Sequence, residues 1–361
     1  MNSQANTALP DMQMHVFNTE SAPRKQTKAM KMVIFSDDPN MTPSSEKQGE
    51  NYTLAYSSDG QVSVYSEDEH AEAYVADDFA FEIYVDAGYR QDQLDWTIAD
   101  VDGNPNILSE LTWKDLDIAV IEIGTSLRLP SNWVMGGRFA YGTILDGKNQ
   151  DSDYLGNNRT LEFSRSNNNA DEGGTIDASL HVGYQFDIFP SNYRKPFLSI
   201  TPKIGYSYHA QNLKIVDGKQ TIPAFGNFAG LDSSYDASWY GPWAGIDSEL
   251  SFADRVSLFG SFEYHYAFYE ATANWNLRSD FAHPVSFEHE AEGTGYLASV
   301  GSHIKLTNDL ILNISVDYQD WKADKKGINR TFFSDDTIGE TKFNGVNWES
   351  MGANVGLQLT F

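Results

Sequence analysis

The sequence predicts an all-β protein: a ten-stranded antiparallel transmembrane β-barrel over residues 77–361, preceded by a polar, mostly disordered N-terminal extension over residues 1–76. Three observations predict it. Apolar residues recur at every second position in ten separate segments, the period of an extended strand with two unlike faces. The connections between segments alternate between short and long or polar, as they do where short turns lie on one side of a membrane and longer loops on the other. The last segment keeps its alternation to the final residue, with Met351, Ala353, Val355, Leu357, Leu359 and Phe361 opposing Gly352, Asn354, Gly356, Gln358 and Thr360.

In chain order, residues 1–76 are rich in Ser, Asp, Glu, Asn and Gln, and offer too little apolar surface to offset chain entropy. A short alternating piece from Tyr52 to Tyr65 is expected to form a hairpin. The first strand sets Phe79, Phe81, Ile83, Val85, Ala87 and Tyr89 against Ala80, Glu82, Tyr84, Asp86, Gly88 and Arg90. The second, Ile107 to Leu129, shifts its pattern near Asp115, where a bulge would restore the register. After the turn Pro130-Ser131-Asn132, the third carries Trp133, Met135, Phe139 and Tyr141 on one face. A polar segment over 148–171 is read as a long connection.

The fourth strand presents Ala178, Leu180, Val182, Tyr184, Phe186 and Ile188, and the fifth Leu198, Ile200, Ile204, Tyr206 and Tyr208 with Pro202 in its middle. A proline there is out of place in a closed sheet, because it cannot donate to the ladder. The sixth has Ala244, Ile246, Leu250 and Phe252, and the seventh Val256, Leu258, Phe262, Tyr264, Tyr266 and Phe268. The eighth ends Tyr296, Ala298, Val300, Ile304 and Leu306, and the ninth runs Leu310, Leu312, Ile314, Val316 and Tyr318. Ten strands and short turns near 130, 190, 253 and 307 place both termini on the periplasmic side.

Composition narrows the function. With 25 Lys and Arg against 51 Asp and Glu the net charge is −26, a field that repels nucleic acid. Aromatic residues make up 13%, enough for girdles at two membrane interfaces. There is no cysteine, hence no disulfide, thiolate nucleophile or cysteine metal site. No run of some eighteen apolar residues exists to make a transmembrane helix, and residues 1–30 have no apolar signal core, so a signal segment is expected to have been removed or the native start to lie elsewhere. No phosphate loop, zinc spacing or nucleophile elbow is present, and no cofactor or metal is expected.

The terminal strand resembles that of bacterial outer-membrane barrels, and residues 77–361 resemble the omptin family, ten-stranded outer-membrane proteases of Gram-negative bacteria. Ser109-Glu110-Leu111-Thr112-Trp113-Lys114 is similar to the family's second-strand Ser-x-Leu-x-Trp-Lys. Asn192-Tyr193-Arg194 before Gly205-Tyr206 resembles its fourth turn and fifth strand, and Lys325-Lys326-Gly327 sits where omptins carry Lys-Lys-Gly. The resemblance implies an extracellular cleft with an Asp pair on one wall and an Asp-His pair on the other, activating a water against a peptide bond.

Asp151-Ser152-Asp153-Tyr154 matches the family's Asp-x-Asp-Trp, with Tyr154 for Trp. Two carboxylates two residues apart on a strand point the same way and share a proton readily, although the same pattern is common in solvated turns. On the opposite wall the family's Asp-Glu-His falls on Asn274-Trp275-Asn276, or by a count from the eighth strand on Leu277. Asparagine cannot take a proton from water, so the standard general base is missing. Asp280 and His283, nearby in the same connection, are the candidate substitutes, while His265 and His289 are read as polar lumen walls. The family's lipopolysaccharide grip, Tyr-x-Glu-x-Arg, falls on Tyr206, Tyr208 and Ala210, so its charged part is absent.

Three readings follow. One is an omptin-type barrel without the standard dyad, acting as a surface, structural or binding barrel, with outer-membrane lipid or lipopolysaccharide as lipid partner and peptides or surface ligands at its extracellular loops. Another is an omptin-like endopeptidase using Asp151, Asp153, Asp280 and His283. The third is a small porin or adhesin that shares only the architecture.

Overall fold

The structure, a computed structural model, describes residues 52–56, 62–66, 79–188 and 197–361. The chain divides into two units, Met1–Ala76 and Asp77–Phe361. In the first, Tyr52–Tyr56 pairs antiparallel with Val62–Ser66, the expected hairpin. The rest of the expected extension and the turn at Asn192-Tyr193-Arg194 lie outside the described residues.

The second unit is a closed ring of ten antiparallel strands. These are β1 (Ala80–Ile98), β2 (Ser109–Arg128), β3 (Trp133–Gly156), β4 (Gly173–Tyr184) and β5 (Phe197–Ile222), followed by β6 (Asp232–Ser251), β7 (Val256–Asn274), β8 (Phe287–Lys305), β9 (Leu310–Phe332) and β10 (Ile338–Thr360). Each pairs with its neighbours in sequence, and β10 returns to β1 from Thr360↔Glu82 up to Phe343↔Ile98. The terminal phenylalanine helps close the ring: Phe361 N–H donates to the Phe81 carbonyl at 2.8 Å, and the two rings lie 6.0 Å apart.

The strands are longer than the alternating rows announce. A tilted strand crosses a bilayer in about 9–11 residues, yet β3 has 24 and β5 has 26. The segment at 148–171, expected as a connection, is mostly strand: β3 continues to Gly156 and pairs with Thr160–Asn169. Likewise 326–343 is a hairpin with its turn at 333–337. Two expected irregularities have clear causes. The shift near Asp115 is a bulge against β3, with Asp115 at φ 52°. Pro202 falls where β4 breaks: Gly183 pairs with Lys203 and Phe186 with Ile200, so the ladder asks no donor of the proline on that side.

The barrel has two halves with opposite polarity. In the base, which carries Phe79 and Phe361, the apolar rows face outward, with Val85, Ile121, Leu180, Ile204, Val300 and Met351 all at least half exposed. Tyr89, Tyr141, Tyr208, Tyr266 and Tyr318, with the half-buried Tyr240, close this band at its upper edge. The lumen of the base is charged. Lys203 pairs with Asp247 at 2.7 Å, Arg90 with Asp177 at 2.7 Å, and His265 with Glu263 at 3.1 Å.

In the head, beyond the tyrosines, the faces exchange. Gln91, Gln93, Glu270, Asp320 and Glu349 now point outward, and the interior is a packed aromatic plug. Trp96, Trp113, Trp239, Trp321 and Trp348 are fully buried there, with Tyr235, Tyr269 and Phe343. Trp321 stacks on Trp348 with ring centres 5.6 Å apart. Trp321 also lies flat across its cross-strand partner Gly295, where a Cβ would fall 2.3 Å from the indole. The apolar rows named from the sequence thus all face outward in the base, and the head adds a second apolar set that faces inward.

Candidate site in the head of the barrel

The Asp pair stands near the top of β3, on the face shared with the plug. Asp151 pairs across the ladder with Leu111 and Asp153 with Ser109. Both lie above the lipid-facing part of the strand, whose outward side turns polar from Asp146 onward. Burial, then the neighbouring Asp153, push the Asp151 carboxyl up to about 8, while a hydrogen bond from Trp275 and the charge of Arg278 pull it back only in part. Asp153 is also raised by burial, with Ser109, Arg278 and Ser164 opposing. At neutral pH the pair therefore holds a proton.

Trp275 and Arg278 belong to the connection between β7 and β8, the opposite wall. Both walls thus meet over the carboxylates. Arg278 is itself held in a fork by Asp280, at 2.9 and 2.8 Å, and lies 4.1 Å over the Phe281 ring.

The expected substitute dyad is arranged differently from a base and its orienter. Asp280 is engaged with Arg278. His283 places Nδ1 2.8 Å from Asn274 Oδ1 and Nε2 3.2 Å from the Arg278 carbonyl. Thus Arg278 links Asp280 to the Asp pair, while His283 is tied to Asn274. Asn276, at the other family position, is structural. Its Oδ1 accepts from the Asp232 N–H and the Ser233 hydroxyl, and its Nδ2 donates to the Gly230 carbonyl at 2.7 Å.

Of the two remaining histidines, His265 lies on the lumen wall between Ser207 and Glu263. His289 differs from the expected polar wall residue. It is sandwiched by Phe343 at 4.2 Å and Trp96 at 4.7 Å, with Tyr235 hydrogen-bonded to Nδ1 at 2.8 Å. Burial drives its pKa down to about 3, so it is a neutral member of the plug. Trp275 and Arg278, which meet the Asp pair, carry no acid-base signature in the sequence. Among the described residues no group of three or more His, Cys, Asp or Glu is placed to hold a metal.

A closed ten-stranded ring with an apolar outer band, a tyrosine girdle and a charged lumen defines an outer-membrane β-barrel. The chain belongs to the family of Protochlamydia outer membrane proteins, whose model matches residues 84–361. Among solved structures it is similar to the outer membrane protease OmpT from Escherichia coli at 14% identity and a TM-score of 0.62, over 80% of this chain and 98% of that one. At that identity the likeness concerns the fold. Further matches are the translocator domain of autotransporter NalP from Neisseria meningitidis, at 12% identity, TM-score 0.33 and coverage of 77% and 88%. OprG from Pseudomonas aeruginosa follows at 10% identity, TM-score 0.32 and coverage of 79% and 96%. No curated protein matches the sequence.

Proposed function

We propose that this outer-membrane barrel acts as a surface-binding or structural protein that displays a rigid, water-facing head, and that it does not hydrolyse peptides as omptins do. The observation that carries the reading is the meeting of the two walls at Asp151. Trp275 donates to the carboxylate and Arg278 lies beside both aspartates. A water and a scissile carbonyl would have to occupy that place. The candidate base His283 is bonded to Asn274, and Asp280 neutralises Arg278. With both termini in the periplasm, the head stands outside the cell and the apolar band contacts outer-membrane lipid, including lipopolysaccharide.

Protein refolded in detergent with lipopolysaccharide and offered a fluorogenic basic peptide tests this. The expected rate equals that of Asp151→Asn. Cleavage that disappears in Asp151→Asn or His283→Ala would establish the endopeptidase instead. A second reading, a narrow ion path, is favoured by the cations and carboxylates facing the base lumen, such as Lys203 with Asp247 and Arg138 with Glu263 at 3.6 Å. Planar-bilayer recording separates it. The plug predicts no conductance steps, and steady steps altered by Lys203→Gln would favour the channel.

A further inference from the structure

We propose that the outer face of the barrel, where the apolar band gives way to the head, is a recognition belt for lipids whose headgroup carries a primary ammonium, such as phosphatidylethanolamine. The proposal goes beyond the surface-binding reading and does not depend on it, because it concerns the rim of the lipid-facing band and not the connections at the top of the head.

On strand after strand, the first charged side chain past the outward apolar row is a carboxylate. These are Asp117 on β2, Asp146 on β3, Asp236 on β6, Glu270 on β7, Asp320 on β9 and Glu349 on β10. Each lies no more than four positions from the last outward apolar or aromatic residue of its strand. That border is set by the exposed apolar band and its tyrosines, independently of the charges, and it is the height at which acyl chains end and headgroups begin. The carboxylates therefore face lipid headgroups.

Their surroundings decide the charge of the headgroup. Asp117 stands directly across the ladder from Asp146, and Asp320 from Glu349. Like charges so placed destabilise a sheet, and a cation from outside relieves them. Glu292 on β8 also belongs to the row but is held by Lys326 at 2.6 Å; the other six form no ion pair among the described residues. The next lysines along β3 and β9, Lys148 and Lys322, are paired higher up, with Asp115 at 3.8 Å and Asp324 at 2.8 Å. Girdle tyrosines direct their donors into the same row, Tyr240 to Glu270 at 2.5 Å and Tyr318 to Glu349 at 3.0 Å. Headgroups thus meet acceptors and negative charge, which repel a lipid phosphate. Calcium would want about six to eight oxygens, and among the described residues no group of three acidic or histidine side chains is placed to hold a metal. A lipid ammonium, held at this height by its own acyl chains, needs one open carboxylate oxygen and brings the missing N–H donors.

The test reads the lipid shell of the full chain reconstituted in phosphatidylcholine bilayers, by electron paramagnetic resonance of trace phosphatidylethanolamine, phosphatidylcholine or phosphatidylglycerol spin-labelled on the acyl chain. The motionally restricted fraction gives relative association. Phosphatidylethanolamine is expected to exceed phosphatidylglycerol about threefold, somewhat less than one full contact between unit charges in water allows. Phosphatidylcholine, which has the cationic charge without the N–H donors, is expected between them. In Glu270→Gln/Asp320→Asn/Glu349→Gln, which keeps an acceptor oxygen for each tyrosine, the ratio should fall toward one, and the folded band on unheated gels confirms that the barrel forms. Equal association of phosphatidylethanolamine and phosphatidylglycerol with the wild type, or an unchanged ratio in the folded triple variant, overturns the proposal. Equal association of phosphatidylethanolamine and phosphatidylcholine overturns it too, by reducing the effect to repulsion of anions. So does magnesium that raises phosphatidylglycerol to the level of phosphatidylethanolamine, which would assign the belt to metal-bridged phosphate. Peptide cleavage or bilayer conductance would overturn the surface-binding reading and leave this measurement unchanged, so the two failures are distinct.

Discussion

Replacing Trp348 by alanine tests whether the head is a packed protein interior. The side chain is 1% exposed, stacks on Trp321 at 5.6 Å, donates its indole N–H to Asp92 at 3.1 Å and lies 5.8 Å from the Arg90 guanidinium. Truncating a fully buried Trp costs about 3–5 kcal/mol. Leaving the buried Asp92 without that donor adds about 1–3 kcal/mol. These contributions overlap, and a loss near 5 kcal/mol is expected. Trp348→Phe keeps most of the ring volume and should lose roughly half as much, chiefly through the missing hydrogen bond. Urea titration of the refolded protein in detergent, followed by the folded gel band and tryptophan fluorescence, measures both. The midpoint should fall with little change in slope. A loss below about 1 kcal/mol in Trp348→Ala would mean that the plug does not contribute as a packed core.

Two further outcomes separate the halves of the barrel. Leu357→Lys, on the outward face of β10 in the base, should cost about 2–4 kcal/mol in lipid bilayers, measured by unfolding from vesicles, whereas Leu357→Phe should be nearly neutral. The pH dependence carries the signature of the Asp pair. The folded pKa of Asp151 lies above its unfolded value, so the native state holds a proton that the unfolded chain has released. Stability should therefore fall as pH rises from about 4 to about 8 and level off above. Asp151→Asn should flatten that slope in urea titrations at stepped pH, and an unchanged slope would place its origin elsewhere.

The period-two rows gave the strand number and the closing role of Phe361, because lipid on one side and a polar lumen on the other impose alternation residue by residue. The inversion in the head is also written in the chain, as a change of parity. In β10 the apolar residues from Met351 to Phe361 fall on odd positions, but Val346 and Trp348 are even; in β9 Leu310 to Tyr318 are even, but Trp321 and Ala323 are odd. Water replaces lipid outside the head, so the greasy face must turn inward. Trp275 and Arg278 were not legible because their role depends on the β7–β8 connection meeting the end of β3, a contact between segments more than a hundred residues apart in sequence.

An asparagine where the omptin resemblance implies a histidine is only part of the reason to expect no omptin-like chemistry. Asn276 occupies its position with a side chain committed to Ser233, Asp232 and Gly230, and a histidine there could reproduce at most part of that bonding. Trp275 and Arg278 would still cap the Asp pair. Asn276→His alone should therefore give no cleavage of a basic fluorogenic peptide and should weaken folding by about 1–3 kcal/mol through the orphaned backbone groups. Adding Trp275→Ala removes the indole from Asp151 and opens room for water between the walls. Cleavage in the single variant would show that the missing base was the sole obstacle. Cleavage confined to the double variant would show that closure of the two walls, more than the loss of one residue, separates this barrel from a peptidase.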